Sequence, residues 1–281
     1  MASGATQRVG VVTGASAGIG LYTALGLARA GMRVVMTGRD AARTDAARRF
    51  VAQRAGGAQI ETAIADFASL MAVRRLADEI LSRCERLDLL VNNAGLFAPK
   101  FEPSQDGYEM TFAVNHLAPF LLTNVLLDRL KASAPARIVN LASRGHHGAR
   151  IDLGTITGPR GWTMIRAYNR SKLCNILFTR ELARRLTGTG VVATCLHPGI
   201  VATTLAQRGG LVGLAWQAAK PFMISPERGA ETSLFLATVP DPAPFHGGYV
   251  VAKALARPDP AALDDGMARR LWDESTRLVG L

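Results

Sequence analysis

Hydrophobic positions along the 281 residues fall into two alternating patterns. Short apolar runs bounded by turn residues predict seven strands, at 7–13, 33–37, 59–65, 87–91, 137–141, 191–196 and 248–252. Between them, apolar residues recur every three or four positions. That period predicts helices from the turn after Thr13 to about Ala30, and over 41–54, 70–84, 106–130 and 166–186. Ser225 followed by Pro226 opens a last core helix reaching Ala237. Strands alternating with helices predict an α/β fold, a doubly wound parallel sheet with helices on both faces. No linker, repeat or low-complexity tract interrupts the pattern, so one domain over residues 1–281 is expected.

Several junctions between these elements carry candidate chemistry. The segment from Thr13 to Gly20 (Thr-Gly-Ala-Ser-Ala-Gly-Ile-Gly) joins the first strand to the first helix. Gly14, Gly18 and Gly20 let the backbone approach a pyrophosphate, and the helix N-terminus favours its charge. Ser16, Ala17 and Ile19 belong to the same turn. An ordinary glycine-rich turn is the alternative, but the place directly after the first strand favours a dinucleotide. The second strand runs into Gly38 and Arg39. A basic residue there accommodates the 2′-phosphate of NADP, where an acidic one would bond the 2′-hydroxyl of NAD. NADP is therefore expected, with an unliganded surface arginine as the alternative; Asp40 reads as the next helix cap.

Asp66 and Phe67 follow the third strand. Asp66 can reach an adenine amino group or cap the following helix. Asn92, Asn93, Ala94 and Gly95 follow the fourth strand, where amides can bridge backbone groups and Gly95 lets the chain pass close to a ligand. Asn115 falls inside a helical pattern, which is unfavourable without a task. Distorting the helix to hold a water is one such task, and bonding a neighbouring helix is another. Ser143 lies just past the fifth strand, at the end of the sheet where ligands bind. The long segment 144–166 contains His146 and His147, which have no metal-ligand spacing around them and read as surface or pocket-lining.

Tyr168 and Lys172 are four residues apart on the helix that follows, so they share a face. An ammonium beside a phenol would lower the phenol's pKa towards working pH. A tyrosine so tuned can give or take a proton at a substrate oxygen. A pair at this spacing also occurs by chance on solvated helix faces.

Composition narrows the classes. The chain is 48% hydrophobic and 20% charged, as soluble globular proteins are. Its net charge of +11 is scattered over helix faces without a basic block, which argues against nucleic acid and fits capture of an anionic cofactor. Cys84, Cys174 and Cys195 lie far apart without metal spacing, so no metal site is expected and a reducing, cytoplasmic setting fits. The polar N-terminus does not read as a signal peptide, and no apolar run is long enough to predict an integral membrane segment. The apolar, glycine-punctuated stretch 204–222 reads as a substrate lid, a dimer contact or a membrane-surface contact.

Taken together, Thr13 to Gly20, Asp66, Asn92 to Gly95, Asn115, Ser143, Tyr168 with Lys172, and Pro198-Gly199 with Thr203 resemble the short-chain dehydrogenase/reductase family over nearly the whole chain. Asn115 to Thr123, the His146–His147 pair, and Ser171 to Asn175 running into Phe178 to Ala183 resemble its retinol dehydrogenase-like and WW-domain-oxidoreductase-like branch. Ala142 departs from it, standing where the family often has another serine. The resemblance implies a Rossmann fold and hydride exchange between NADP(H) and an alcohol or carbonyl group, and the apolar stretch after Thr203 suggests that the small molecule carrying that group is lipophilic. It implies a catalytic tetrad. Tyr168 would protonate the developing alkoxide, and Ser143 would bond the same oxygen. Lys172 would tune Tyr168 and hold the nicotinamide ribose, and Asn115 would position a relaying water. Pro198, Gly199, Ile200 and Thr203 join the implied cofactor contacts. The long helices 106–130 and 166–186 would support a homodimer, with a monomer as the alternative. An NADP-sensing protein on the same fold is the reading from another functional class.

Overall fold

The structure is a computed structural model and describes residues 7–199 and 224–281. Eight strands form one sheet: β1 (Val9–Val12), β2 (Arg33–Gly38), β3 (Ile60–Ile64), β4 (Leu89–Asn92), β5 (Ala136–Leu141), β6 (Val191–His197), β7 (Tyr249–Val251) and β8 (Ala254–Leu255). Their spatial order is β3-β2-β1-β4-β5-β6-β7-β8. The first seven pair in parallel, as the pattern predicts; β8 is a two-residue antiparallel addition at the edge, too short for periodicity to reveal. Ala252 and Lys253 turn the chain back with positive φ.

Helices cover both faces. They are α1 (Gly18–Arg29), α2 (Ala41–Arg54), α3 (Leu70–Arg83), α4 (Met110–Ala132), α5 (Met164–Arg185), α6 (Pro226–Thr238) and α7 (Asp265–Val279). Alternate strand residues feed the two layers. Val35, Leu90, Ile138 and Cys195 pack under α3, α4, α5 and α7. Val34, Met36, Leu89, Val91, Val139 and Leu196 pack under α1, α2 and α6. The period of two in the strands thus sorts one sheet between two cores. The sequence of α4 is long and apolar enough to cross a membrane, but 78% of its most apolar window is buried inside the fold.

Several element ends differ from expectation, each for a local reason. Helix α4 starts at Met110 rather than near Asp106 because Glu109 caps it, accepting from Thr111 N and Phe112 N. Asp106 instead accepts the backbone N–H of Leu70 at 2.8 Å. Asp66 does not cap α3; that cap is Ser69, which accepts from Ala72 N. Asp40 caps α2 as expected, accepting from Arg43 N.

Helix α7 is the larger addition, since the sequence reading ends the core helices at Ala237. Ala268, Leu271, Trp272, Ser275, Leu278 and Val279 form its buried stripe. Asp264 caps its start and Gly280, with φ of 68°, closes its end. The Trp272 ring lies 4.9 Å from that of Phe120 and 5.8 Å from that of Phe178, with the Arg185 guanidinium 4.3 Å over it. Asp265 pairs with Arg180 and Arg184 of α5.

Candidate active site

The order of strands reverses between β1 and β4, the place where open parallel sheets leave a crevice for a ligand. Two glycine-bearing loops meet there. Gly14 and Gly18 have φ of 65° and 60°, which only glycine adopts without strain. A side chain at Gly20 would strike Asn93 Nδ2 and Gly14 O, both 2.5 Å from its Cβ. Asn93 is what ties the loops together: Nδ2 donates to Thr13 O at 2.7 Å and Gly14 O at 3.2 Å. Thr13 Oγ1 accepts from Asn93 N and Ala94 N, both at 3.0 Å. The expected bridging amide is therefore Asn93. Asn92 faces into the sheet, where Nδ2 donates to Thr123 Oγ1 and Asn140 Oδ1.

This cradle fits an anionic dinucleotide. Ala17 precedes α1 without a side-chain cap, and no acidic residue lies in the first turn. The first N–H groups of a twelve-residue helix are thus left for a ligand. Ser16 and Ile19 are partly exposed beside them. Arg39 is exposed at the end of β2. A Cβ at Gly38 would overlap Thr44 Oγ1, so an acidic residue there would have to displace Thr44. Asp66 stays at the crevice rim, accepting from Ala68 N at 3.0 Å and Gln105 Nε2 at 3.4 Å. Phe67 is 7% exposed and packs into the core, so only its backbone is free to meet a ligand. Pro198 and Gly199 follow β6, with Gly199 at φ of 93° against Ile224. Ile200, Thr203 and the apolar stretch 204–222 lie outside the described residues.

The four proposed catalytic side chains converge on the same edge. Ser143 lies two residues beyond β5, and its Oγ accepts from Gly145 N at 3.2 Å. Tyr168 and Lys172 project from the first turns of α5. Tyr168 lies close enough to Ser143 for that hydroxyl to lower its pKa, and Lys172 Nζ stands 5.6 Å from the tyrosine ring centroid. Nζ donates to Leu141 O at 3.0 Å, alongside Asn175 Nδ2 at the same distance. A Cβ on Gly95 would come to 3.6 Å from Nζ and 3.3 Å from Asn115 Oδ1, so the glycine keeps this passage open.

Asn115 sits where its helix is distorted and also bonds a neighbouring helix. The helix widens to a π-turn at Ala113–Leu117, and the buried amide reaches out of it. It accepts from Leu96 N at 2.7 Å and donates to Leu96 O and to Ser171 Oγ, each at 3.0 Å. Such π-turns are common at functional sites.

The electrostatics correct one expectation. Burial pushes the Tyr168 phenol above its ordinary value, and the nearby Ser143 hydroxyl is what opposes the rise. Lys172 does not pull it down, because with its own pKa lowered to about 8 it is neutral before the phenol ionises. Burial lowers Lys172 from 10.5 to about 8. His197, just beneath, is held down to about 4 by burial and by Arg144.

Three features had little signal in the sequence. Phe97 stacks on Tyr168 with centroids 3.6 Å apart and planes 15° from parallel. Ser171 anchors Asn115 through a hydroxyl that also donates to Tyr168 O at 2.7 Å. His146 is wholly buried, not on the surface, and its Nδ1 sits 2.6 Å from Ser143 O.

Comparison with known proteins finds relatives over nearly the whole chain. A family model described as short chain dehydrogenase matches residues 8–210. Human retinol dehydrogenase 13 is 42% identical over 278 residues, covering 96% of this chain and 84% of that protein. An uncharacterised protein from Mycobacterium paratuberculosis has a solved structure with a TM-score of 0.79 and 33% identity, over 98% of this chain and 94% of that one. Pseudomonas aeruginosa RhlG, solved as an active-site complex with NADP, gives a TM-score of 0.69 and 27% identity, over 87% and 94%.

Proposed function

The chain belongs to the short-chain dehydrogenase family, and we propose that it reduces the carbonyl group of an apolar small molecule with NADPH. Membership makes it an oxidoreductase of alcohol and carbonyl groups that uses a nicotinamide cofactor. The observation that carries the finer reading is Tyr168, with Ser143 close enough to act on its phenol and Lys172 beside its ring, at the edge of the nucleotide crevice.

The bound cofactor supplies the hydride. The residues that would hold it are Gly14, Ser16, Ala17, Gly18, Ile19 and Gly20 around the pyrophosphate, Asp66 and the Phe67 backbone near the adenine, Asn93 to Gly95 beneath the nicotinamide side, and Lys172, Pro198 and Gly199 beyond. A preference for NADP over NAD is supported by Arg39, exposed at the end of β2, and by Gly38, where a carboxylate would have to displace Thr44. Asp40 cannot substitute, since its carboxylate caps α2.

Tyr168 is the proton donor. A phenol raised by burial stays protonated at neutral pH, which suits giving a proton to an oxygen that is gaining negative charge. Ser143 and Tyr168 would offer two preorganised donors to that one oxygen, the arrangement that contributes most when charge develops on it. Lys172 fixes a positive charge nearby while it is protonated, and Asn115 holds the Leu96 backbone that borders the site. The reverse oxidation would use the same groups with Tyr168 as base.

An apolar substrate is supported by what borders Tyr168. Ile165 lies three residues before it on the same face of α5 and is 62% exposed. Phe97 covers the tyrosine ring, and Phe101 meets Trp162 edge-on nearby in sequence. The retinol dehydrogenase relatives carry the name of an apolar alcohol. A homodimer through α4 and α5 would have to use surface that α7 leaves uncovered. The test is NADPH oxidation followed by absorbance over straight-chain, aromatic and polyene aldehydes and sugar ketones, with NADH beside it. Turnover of apolar aldehydes with NADPH supports the proposal; turnover confined to sugars or to NADH overturns it. NADPH binding without turnover on any compound would move the reading to the cofactor sensor.

A further inference from the structure

We infer that His146 is a positioning residue that aims Ser143, working as a clamp between the Ser143 turn and the segment leading to α7. The inference rests on the catalytic reading of Ser143 given above.

The histidine makes two contacts that define its proton. Nδ1 lies 2.6 Å from the carbonyl oxygen of Ser143, which can only accept. The backbone N–H of Asp259, which can only donate, points at Nε2 from 3.1 Å. Both bonds exist together in one state alone: a neutral ring with its proton on Nδ1 and Nε2 bare. The imidazolium would set two N–H groups against each other at Asp259, and the other neutral tautomer would fail at both ends. The ring is 0% exposed, so a broken contact is not replaced by water. Burial favours the neutral form, in keeping with this assignment.

Each end of the clamp is itself fixed. The Ser143 carbonyl also accepts the His146 backbone N–H at 3.2 Å. Asp259 is held by Gly148 N and Ala261 N, both at 2.9 Å, with Arg150 at 3.7 Å. The His146 ring is wedged between His147, 4.1 Å away, and the edge of Tyr249 at 5.0 Å. Pinning the carbonyl of Ser143 fixes its ψ and so the place of its Cβ, and Gly145 N, which donates to Oγ at 3.2 Å, then holds the hydroxyl. Small errors at such a position are expensive, with about 1 Å worth up to roughly 100-fold in rate. His146 touches neither substrate nor cofactor in this account; it acts through Ser143.

Two substitutions separate the two arms. In His146→Asn, the amide nitrogen can occupy the place of Nδ1 and donate to Ser143 O, but the side chain is too short for Asp259. In His146→Gln, the amide oxygen can occupy the place of Nε2 and accept from Asp259 N, leaving Ser143 O without its ring donor. Turnover of decanal with NADPH, NADPH affinity by fluorescence titration, and melting temperature would be measured on the full chain. The expected result is kcat lowered about ten-fold or more in His146→Gln but held within roughly three-fold in His146→Asn, with NADPH affinity unchanged in both. Equal kcat losses, or losses that follow melting temperature, would reduce His146 to a structural staple and overturn the inference. A second readout does not need turnover. The ¹⁵N shifts of the wild-type ring at neutral pH should show Nδ1 protonated and Nε2 bare, and a protonated Nε2 would overturn the clamp. If wild type fails on decanal and the other aldehydes while the ring shows the expected tautomer, the clamp geometry stands and the aldehyde reading falls.

Discussion

Replacing Lys172 by methionine should stabilise the folded chain while stopping its chemistry. The methionine keeps most of the apolar stem and removes the charge. Lys172 is 5% exposed, and burial takes its pKa from 10.5 down to about 8. At about 1.4 kcal/mol per pH unit, that drop is a cost of roughly 3 kcal/mol while the group is protonated in both folded and unfolded chains. The variant loses the bond from Nζ to Leu141 O, worth about 1 kcal/mol net. That carbonyl keeps its bond from Asn175, so it is not orphaned. A net gain of roughly 2 kcal/mol is therefore expected at pH 7. The pH dependence has a definite sign. The folded pKa lies below the unfolded one, so between about pH 8 and 10.5 the unfolded chain binds more protons. The penalty is full below that window and gone above it, and wild-type stability from this group rises with pH across it. The advantage of Lys172→Met should shrink accordingly. Urea unfolding of both proteins at pH 7 and pH 10 reads the difference. A variant less stable than wild type at pH 7, or a difference that does not change with pH, would refute the claim that charge burial dominates at this site.

Further expectations follow from other parts of the fold. Arg39→Ala should weaken NADPH binding by about 10- to 100-fold, the loss of roughly 1.5–3 kcal/mol of charge-assisted bonding, and leave NADH binding unchanged; fluorescence titration with each cofactor checks both halves. Trp272→Ala should destabilise the chain by about 3–5 kcal/mol, because it opens a cavity among Phe120, Phe178 and Arg185. Denaturant unfolding measures this, and a loss below about 1 kcal/mol would mean that α7 contributes little to the core.

Much of the site was legible because its chemistry sits at element boundaries, where sequence signals are strongest. The glycine turn, Asp40, Asn93 and Ser143 are placed by where strands end and helices begin. Tyr168 and Lys172 are placed by helical spacing alone. What escaped depends on contacts between distant segments. His146 gives no periodic signal, since its partners are a neighbouring carbonyl and a backbone N–H more than a hundred residues away. The Tyr168 pKa runs opposite to the expectation because four-residue spacing reports nearness, not how deeply the pair is buried. Lys172 turns to Leu141 O, and burial then governs both groups. Helix α7 did carry its signals in Asp264, the stripe from Ala268 to Val279, and Gly280; they lie beyond an irregular stretch that made the core look finished at Ala237. The short β8 has too few residues for any pattern.

The most direct test of the account compares wild type with Tyr168→Phe for NADPH-dependent reduction of an aldehyde that wild type accepts, with NADPH affinity measured on both. The phenylalanine keeps the ring and its stacking with Phe97 and removes only the hydroxyl. Turnover is expected to fall by at least about 100-fold, the lower end of what a positioned proton donor contributes, while NADPH binds within a few-fold of wild type. Turnover near wild type in the variant would contradict it, and would mean that the proton comes from another group.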